Sequence, residues 1–137
     1  MARLKTLAKV LSIFLPKLSL SAKIDPAWLS HDKEVGKKYS EDPLIFNCAT
    51  AKFGAEFMKA IDELQKNAGQ LKVPCLIMYA GEDKLVNPDG SEEFFSQLTL
   101  KDKKLIKYAG FYHELLNEID KARVFKDIEN WLLPRVG

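Results

Sequence analysis

Apolar residues near the N-terminus recur at the spacing of one helix face. Between residues 3 and 15 the apolar positions are Leu4, Leu7, Ala8, Leu11, Phe14 and Leu15. The other side carries the polar residues Arg3, Lys5, Thr6, Lys9 and Ser12. This repeat predicts an amphipathic helix over 3–15, and Pro16 is expected to end it because proline lacks the N–H that the next helical hydrogen bond needs.

The centre of the chain divides into an aperiodic segment and a second helix. Residues 17–47 have no sustained period, and Pro26, Gly36 and Pro43 predict loops with short helical turns there. Helical spacing returns over residues 49–67. The apolar side of this helix consists of Phe53, Phe57, Ile61 and Leu64, and Gly69 follows as a stop signal.

From Val73 onward, short apolar runs alternate with amphipathic segments. Val73–Ala80 is almost continuously apolar, which is typical of a strand buried on both faces of a parallel sheet, and Gly81 ends the run. Asp89 precedes Glu92 by three positions, which predicts a capped helix start. The apolar side of that helix consists of Phe94, Phe95 and Leu98.

The end of the chain repeats this order of strand and helix. Lys104–Ala109 predicts a second strand, closed by Gly110. A final helix carries Val124, Ile128, Trp131 and Leu132 and is expected to stop at Pro134. Strands that alternate with helices through short connections indicate an α/β fold with a parallel sheet. Residues 1–70 are mainly helical. We therefore divide the chain into a helical region at 1–70 and an α/β region at 71–137.

The composition is that of a globular protein and argues against several functions. The chain has 137 residues, of which 47% are hydrophobic and 29% charged, and its net charge of +2 gives no support to a nucleic-acid partner. The cysteines Cys48 and Cys75 show no metal-ligand spacing, and with only two histidines this argues against a zinc site. We expect both thiols to be reduced and buried in a cytoplasmic protein, because Cys75 lies in an apolar run.

The N-terminus resembles a secretion signal only superficially. Lys9 interrupts the region that should be uniformly apolar, and Lys17 follows Pro16. No apolar run reaches the roughly 18 residues that are needed to span a bilayer. The sequence therefore predicts a protein that stays in the cytoplasm, with or without peripheral contact to membranes.

Two ionisable residues lie where the predicted strands end. Asp83 follows the first strand and His113 follows the second. The carboxyl ends of neighbouring parallel strands meet at one edge of a sheet, where α/β proteins bind ligands, so we expect these side chains to lie close together. A carboxylate beside an imidazole fixes its tautomer and orients it as a general base. Taken singly, each residue is more often a turn former or a solvated side chain, and only their joint placement favours catalysis.

The residues around this pair resemble two stretches of the α/β-hydrolases. Residues 81–88 (Gly-Glu-Asp-Lys-Leu-Val-Asn-Pro) are similar to G-x-x-D-x-x-V-x-P, with one fewer residue between Gly and Asp. Residues 110–115 (Gly-Phe-Tyr-His-Glu-Leu) are similar to G-x-x-H-x-L after the family's last strand, and Asp83 precedes His113 by 30 positions in the family's order. Segments 14–20, 24–30 and 39–44 resemble the lid of monoacylglycerol lipases. The resemblance thus describes a helical lid (1–70) followed by the C-terminal part of a hydrolase core (71–137).

The resemblance implies a serine hydrolase that acts on monoacylglycerols or lysophospholipids through an acyl-enzyme, with Asp83 orienting His113 and with neither a metal nor an organic cofactor. The family's G-x-S-x-G nucleophile elbow does not occur in this sequence, and Asp32 follows His31 where the family's oxyanion turn has His-Gly. Two parallel strands also cannot cover both faces and both edges of a sheet. We therefore expect the missing strands to come from the rest of a longer hydrolase or from self-association.

The helix over 3–15 raises the question of lipid contact. Its wide apolar side, with basic residues opposite, suits a bilayer interface, although a helix packed on its own domain has the same pattern. Because lids of monoglyceride lipases contact membranes, the resemblance favours a peripheral role in which Leu11, Phe14 and Leu15 line an acyl entry path. Two other functions stay open: a catalytically inactive product that binds a lipid or a partner, and a different α/β-hydrolase chemistry, such as that of a general esterase or a peptidase.

Overall fold

Two parallel strands and the helices around them organise the chain in a computed structural model that describes residues 10–136. The strands are β1 (Ser19–Ser21), β2 (Cys48–Thr50), β3 (Cys75–Ala80) and β4 (Lys103–Tyr108). The helices are α1 (Lys33–Glu41), α2 (Ala51–Lys66), α3 (Asp89–Gln97) and α4 (Lys121–Val136). One-turn 3-10 helices cover Pro26–Trp28, Ala68–Gln70 and Leu115–Asn117. Within residues 10–136, no helix is both long and apolar enough to cross a bilayer.

The α/β class predicted from the alternation of strands and helices is confirmed. β3 and β4 pair in parallel, from Cys75 opposite Lys103 to Ala80 opposite Tyr108, and α3 connects them. Tyr108 of β4 and Val124 of α4 are both 0% exposed. The Tyr108 hydroxyl donates a hydrogen bond of 2.7 Å to Asp127 of α4, and burial together with this carboxylate raises the pKa of Tyr108. The carboxyl ends of β3 and β4 are thereby held at one edge of the sheet.

β3 is less covered than its apolar sequence predicts. Tyr79 and Ala80 are buried, residues 75–78 are half-buried, and Val73 is exposed. In the described part of the chain, β3 and β4 form a sheet of two strands. The prediction of a strand buried on both faces is therefore wrong for this sheet, because one neighbouring strand and its flanking helices leave part of each face open to solvent.

The prediction of loops and short turns over 17–47 is wrong in part. β1 pairs with β2 in antiparallel fashion, with Ser19 opposite Thr50 and Ser21 opposite Cys48. The nine-residue helix α1 begins after Asp32, whose carboxylate accepts the backbone N–H of Glu34 at 3.0 Å. This cap and the packing of α1 against the Pro26–Trp28 turn outweigh the helix-weakening effect of Gly36.

Two predicted helix ends are also wrong. Asp89 does not cap α3 but is its first residue, and its N–H donates to the Asn87 side chain at 3.1 Å. Glu92 accepts the hydroxyl of Tyr79 instead of a helix N–H. Pro134 does not stop α4, which continues to Val136. A proline in the last turn removes one hydrogen bond from a ladder that is about to end, so the helix tolerates it.

The cysteines and β4 differ from expectation in smaller ways. Cys48 and Cys75 are free thiols, as predicted, but neither is buried, because Cys48 begins a short exposed strand and Cys75 lies at the open end of β3. β4 begins one residue earlier than predicted and ends at Tyr108 rather than Ala109. The boundary placed at residue 70 stays a prediction.

Candidate active site

The loops that follow β3 and β4 are fastened to one another. The N–H of Gly81 donates to Tyr108 O at 2.8 Å, and the N–H of Glu82 donates to Phe111 O at 3.0 Å. A Cβ at position 81 would lie 3.0 Å from Ala109 Cα, tighter than ordinary van der Waals contact, so glycine favours this close approach. Gly110 has φ +76°, in the left-handed region that glycine enters without a steric penalty. These contacts bring residues 82–83 beside residues 111–113.

Asp83 and His113 are in direct contact at this edge of the sheet. Asp83 Oδ2 lies 2.8 Å from His113 Nδ1. The other oxygen, Oδ1, accepts the backbone N–H groups of Leu85 at 2.8 Å and Val86 at 2.9 Å. The Asp83 side chain is 11% exposed and that of His113 is 37% exposed. Oδ1 is thus held by backbone N–H groups of its own loop, while Oδ2 faces the His113 imidazole.

Asp83 remains ionised in this setting. Burial, the largest single influence, raises its pKa, but the hydrogen bond from His113 and those from Val86 and Leu85 outweigh it and lower the pKa below its ordinary value. An ionised carboxylate only accepts hydrogen bonds, so His113 Nδ1 carries the proton and Nε2 is left as the basic atom. In the described part of the chain, Nε2 has no hydrogen-bond partner. This is the geometry of the acid–base half of a catalytic triad.

Three serine hydroxyls in the described residues donate hydrogen bonds to backbone carbonyl groups. Ser30 donates to Asn117 O at 3.0 Å, Ser40 to Gly36 O at 2.9 Å and Ser96 to Glu93 O at 2.7 Å. Between residues 10 and 136, no hydrogen bond joins a serine to His113. The catalytic roles of Asp83 and His113 therefore stay predictions that require a nucleophile not encoded in this sequence.

Of the predicted substrate-entry residues, Leu11 and Phe14 lie in a helical segment at 10–14 and Leu15 directly follows it; this segment is the described part of the helix expected over 3–15. Phe14 is 76% exposed, Leu15 is exposed and Leu11 is half-buried, whereas Ser12 is buried. Ser12, which the periodicity places opposite the apolar residues, is buried, and much of the apolar side faces outward. The remaining predicted positions of this helix, 3–9, lie outside the described residues. The role of Leu11, Phe14 and Leu15 in substrate entry stays a prediction.

Sequence reasoning missed a second histidine–carboxylate pair next to the first. Glu118 Oε1 lies 2.9 Å from His31 Nδ1, and the same oxygen accepts the N–H of Tyr112 at 2.7 Å. The rings of His31 and Tyr112 stack with centroids 3.8 Å apart, and the Lys84 ammonium lies 4.4 Å from the Tyr112 centroid. His31 and Glu118 are 87 positions apart, and no periodicity or motif links them. The sequence offered only one hint of this contact: His31 and Glu118 are both ionisable residues to which no role had been assigned.

The geometry and the sequence both match known hydrolases. A family model described as serine aminopeptidase, S33, matches residues 2–120. Human monoglyceride lipase is 33% identical over 133 residues, which is 95% of this chain and 44% of that protein. The crystal structure of Paleococcus ferrophilus monoacylglycerol lipase superposes with a TM-score of 0.88 at 33% identity, covering 96% of this chain and 52% of that one. A soluble variant of monoglyceride lipase from Saccharomyces cerevisiae, in complex with a substrate analogue, gives 0.81 at 26% identity, covering 95% and 48%. The chain spans about half the length of the relatives it matches.

Proposed function

Because this chain belongs to the serine aminopeptidase family of α/β hydrolases, a family of serine hydrolases, we propose that it supplies the acid and the base of a carboxylic ester hydrolase. The proposed substrates are monoacylglycerols or lysophospholipids. The observation that carries the proposal is the 2.8 Å contact between Asp83 and His113 at the ends of two adjacent parallel strands. The similarity to lipases named for monoglycerides supports the choice of substrate.

In the proposed reaction, His113 Nε2 takes the proton of a serine hydroxyl as that oxygen attacks the ester carbonyl. The Asp83 carboxylate stabilises the imidazolium that forms and keeps the ring oriented through Nδ1. His113 then gives the proton to the leaving alcohol, and an acyl-enzyme remains. In the second half, His113 takes a proton from the water that attacks the acyl-enzyme, and it returns this proton to the serine oxygen as the fatty acid leaves. These steps need no metal and no organic cofactor.

The serine, the oxyanion hole and the further strands are proposed to come from the rest of a hydrolase core. The open edges of the two-stranded β3–β4 sheet support this proposal, because further strands could pair with them. The apolar side of α2 supports it as well, since Phe53, Phe57 and Leu64 are exposed in the described part of the chain. Self-association of this chain would cover the same surfaces without adding a nucleophile, because no copy of the sequence contains G-x-S-x-G.

A fluorophosphonate probe tests this division of roles. We expect no labelling of the isolated chain, because the sequence has no nucleophile elbow to present an activated serine. We expect labelling and monoacylglycerol hydrolysis from a chimera, called here the completed hydrolase, in which this chain replaces its matching part of the Paleococcus ferrophilus lipase. Labelling of the isolated chain would contradict the missing nucleophile. An inactive but folded chimera would contradict the proposed function.

Substrate class needs its own measurement on the completed hydrolase. Rates on monoacylglycerol, lysophosphatidylcholine and an aminoacyl amide separate lipase, phospholipase and peptidase chemistry, all of which an α/β-hydrolase fold can support. A rate on the aminoacyl amide above those on both lipids would replace the proposed substrate class with that of a peptidase. Because part of the active site comes from the other lipase, the same panel on that lipase is the control.

We also propose that this protein stays in the cytoplasm and touches membranes peripherally through residues 10–15. Val10, Ile13, Phe14 and Leu15 are exposed there, which gives a cluster of apolar side chains on one short segment. Such a cluster gains free energy when it enters the acyl boundary of a bilayer. Leu11 and Phe14 would then lie beside the path by which a lipid leaves the membrane.

The double variant Leu11→Glu/Phe14→Glu is expected to lower the partition coefficient of the chain onto phosphatidylcholine–phosphatidylserine vesicles by about tenfold or more, since two apolar contacts are lost. Co-sedimentation measures it. The matched control is Leu44→Glu/Phe46→Glu, which adds the same charge at side chains 78% and 79% exposed and lies outside this segment. Equal loss in both variants would show that binding is not specific to this segment.

The second candidate function is a non-catalytic module that binds a lipid or a protein. The observation in its favour is the combination of exposed apolar residues with the absence of a nucleophile from the sequence. It predicts vesicle or partner binding that is unaffected by Asp83→Asn, together with a folded but inactive completed hydrolase.

A further inference from the structure

Glu118 is a nearly buried carboxylate that gathers four hydrogen bonds. It is 3% exposed. Its Oε1 accepts Tyr112 N–H at 2.7 Å and faces His31 Nδ1 at 2.9 Å. Its Oε2 accepts His31 N–H at 3.2 Å and Ile119 N–H at 3.3 Å. Burial alone raises the pKa of Glu118, but the bonds from Tyr112 and His31 outweigh it, so the pKa is lowered and the carboxylate stays charged.

These partners lie on two separate parts of the chain. Tyr112 directly precedes His113, so its N–H bond to Glu118 fixes the backbone from which the imidazole projects. His31 belongs to segment 29–32, far away in sequence. The same segment meets the His113 loop twice more, where Glu114 N–H donates to Leu29 O at 2.8 Å and Ser30 Oγ donates to Asn117 O at 3.0 Å. The Glu118 carboxylate therefore connects segment 29–32 to the loop that carries His113.

Aromatic contacts continue the connection to Asp83. The His31 ring stacks on Tyr112 at an interplanar angle of 25°. The Lys84 ammonium donates to the Tyr112 hydroxyl at 3.0 Å, and Lys84 directly follows Asp83. Segment 29–32 therefore touches the loop of the base, and through Tyr112 it also reaches the loop of the acid. A displacement of this segment would loosen both.

We propose that Glu118 is a positioning residue that makes the orientation of His113 depend on the placement of segment 29–32, with His31 as the link. When His31 is in place, Glu118 is fully bonded and holds Tyr112 N–H. When the segment moves, Glu118 loses two of its four donors, and the backbone before His113 is released. In this way the predicted lid region (1–70) controls the orientation of the His113 imidazole. The proposal rests on the proposed function, in which His113 is the general base.

Nitrogen NMR of the 137-residue chain tests this without any substrate, because the sequence contains only two histidines and both imidazoles can be assigned. In Glu118→Gln we expect the Tyr112 amide to exchange at least about tenfold faster. We also expect the His113 nitrogens to move from the Nδ1–H tautomer towards an average of both tautomers. Glu56→Gln removes the same charge from an exposed side chain on α2 and should leave His113 unchanged.

His31 variants decide the case even if Glu118→Gln does not fold, because the His31 side chain is 40% exposed whereas that of Glu118 is 3% exposed. We expect His31→Ala to shift His113 as Glu118→Gln does. His31→Asn, which keeps an N–H donor near the position of Nδ1, should restore the wild-type signals. Unchanged His113 signals in His31→Ala would overturn the proposal and leave Glu118 a structural residue, and so would a failure of His31→Asn to restore them.

The outcome is independent of hydrolysis. If the completed hydrolase is inactive while His113 responds to His31→Ala, the positioning stands and the proposed function fails. If the completed hydrolase is active while His113 ignores His31→Ala, only the positioning fails.

Discussion

His113→Ala in the completed hydrolase is expected to lower kcat by about 10⁶-fold, with little change in KM. Among the described residues, no other side chain forms a hydrogen bond with Asp83 Oδ2, so none is already positioned to replace the imidazole. Without the imidazole, the serine keeps its proton and the leaving alcohol receives none. In the proposed mechanism His113 transfers protons and does not bind the substrate, so we expect the loss to fall on the chemical steps.

Steady-state kinetics on a monoacylglycerol measure this loss. Leu116→Ala is the matched control, since it makes the same kind of truncation at an exposed side chain three residues further along the loop, and it should keep its rate within about threefold of wild type. Unchanged thermal unfolding of both variants would assign the difference to chemistry. A His113→Ala enzyme that retained a tenth of its kcat would rule out His113 as the general base.

The acid–histidine pair could be predicted from sequence because its geometry follows from a topological rule. A residue that comes just after a parallel strand lies at the carboxyl edge of the sheet, and adjacent strands share that edge. Asp83 and His113 each follow such a strand, so their proximity required only the pairing of β3 with β4. The α/β class followed from the same alternation of elements, which depends on local periodicity.

Glu118 could not be found in this way because its partner depends on how the first part of the chain lies over the sheet. His31 and Glu118 are both in irregular segments, where side-chain direction does not follow a period. α1 escaped detection for a related reason. Its sequence is mostly polar and includes Gly36, so its helical form depends on the Asp32 cap and on packing rather than on an apolar stripe.

Burial was the least predictable property. An apolar sequence indicates which side chains would gain from leaving water, but the neighbours that cover them lie elsewhere in the fold. Phe14 on the N-terminal helical segment, Phe57 on α2 and Val73 before β3 are all exposed in the described structure, although each belongs to a predicted apolar face. For this chain, which spans about half the length of its relatives, the apolar pattern describes surfaces more than a closed core.

Asp83→Asn in the completed hydrolase is expected to lower kcat by roughly 10⁴-fold while leaving the fold intact. The local hydrogen bonds explain why a nearly isosteric change has so large an effect. The N–H groups of Leu85 and Val86 both point at Oδ1, so the amide oxygen of asparagine takes that position. Its NH₂ group then faces His113 Nδ1 as a donor. The imidazole can accept there only by moving its proton to Nε2, which is the atom that has to act as the base.

Two measurements separate this tautomer effect from a general loss of charge. Nitrogen NMR of the isolated Asp83→Asn chain should show His113 in the Nε2–H form at neutral pH, and kinetics on the completed hydrolase should show the loss in kcat. Asp89→Asn removes the same charge from an exposed residue in the first turn of α3 and should alter neither. If Asp83→Asn kept the Nδ1–H tautomer, or lost less than about tenfold in kcat, the carboxylate would not be orienting the base, and the 2.8 Å contact would be a structural hydrogen bond only.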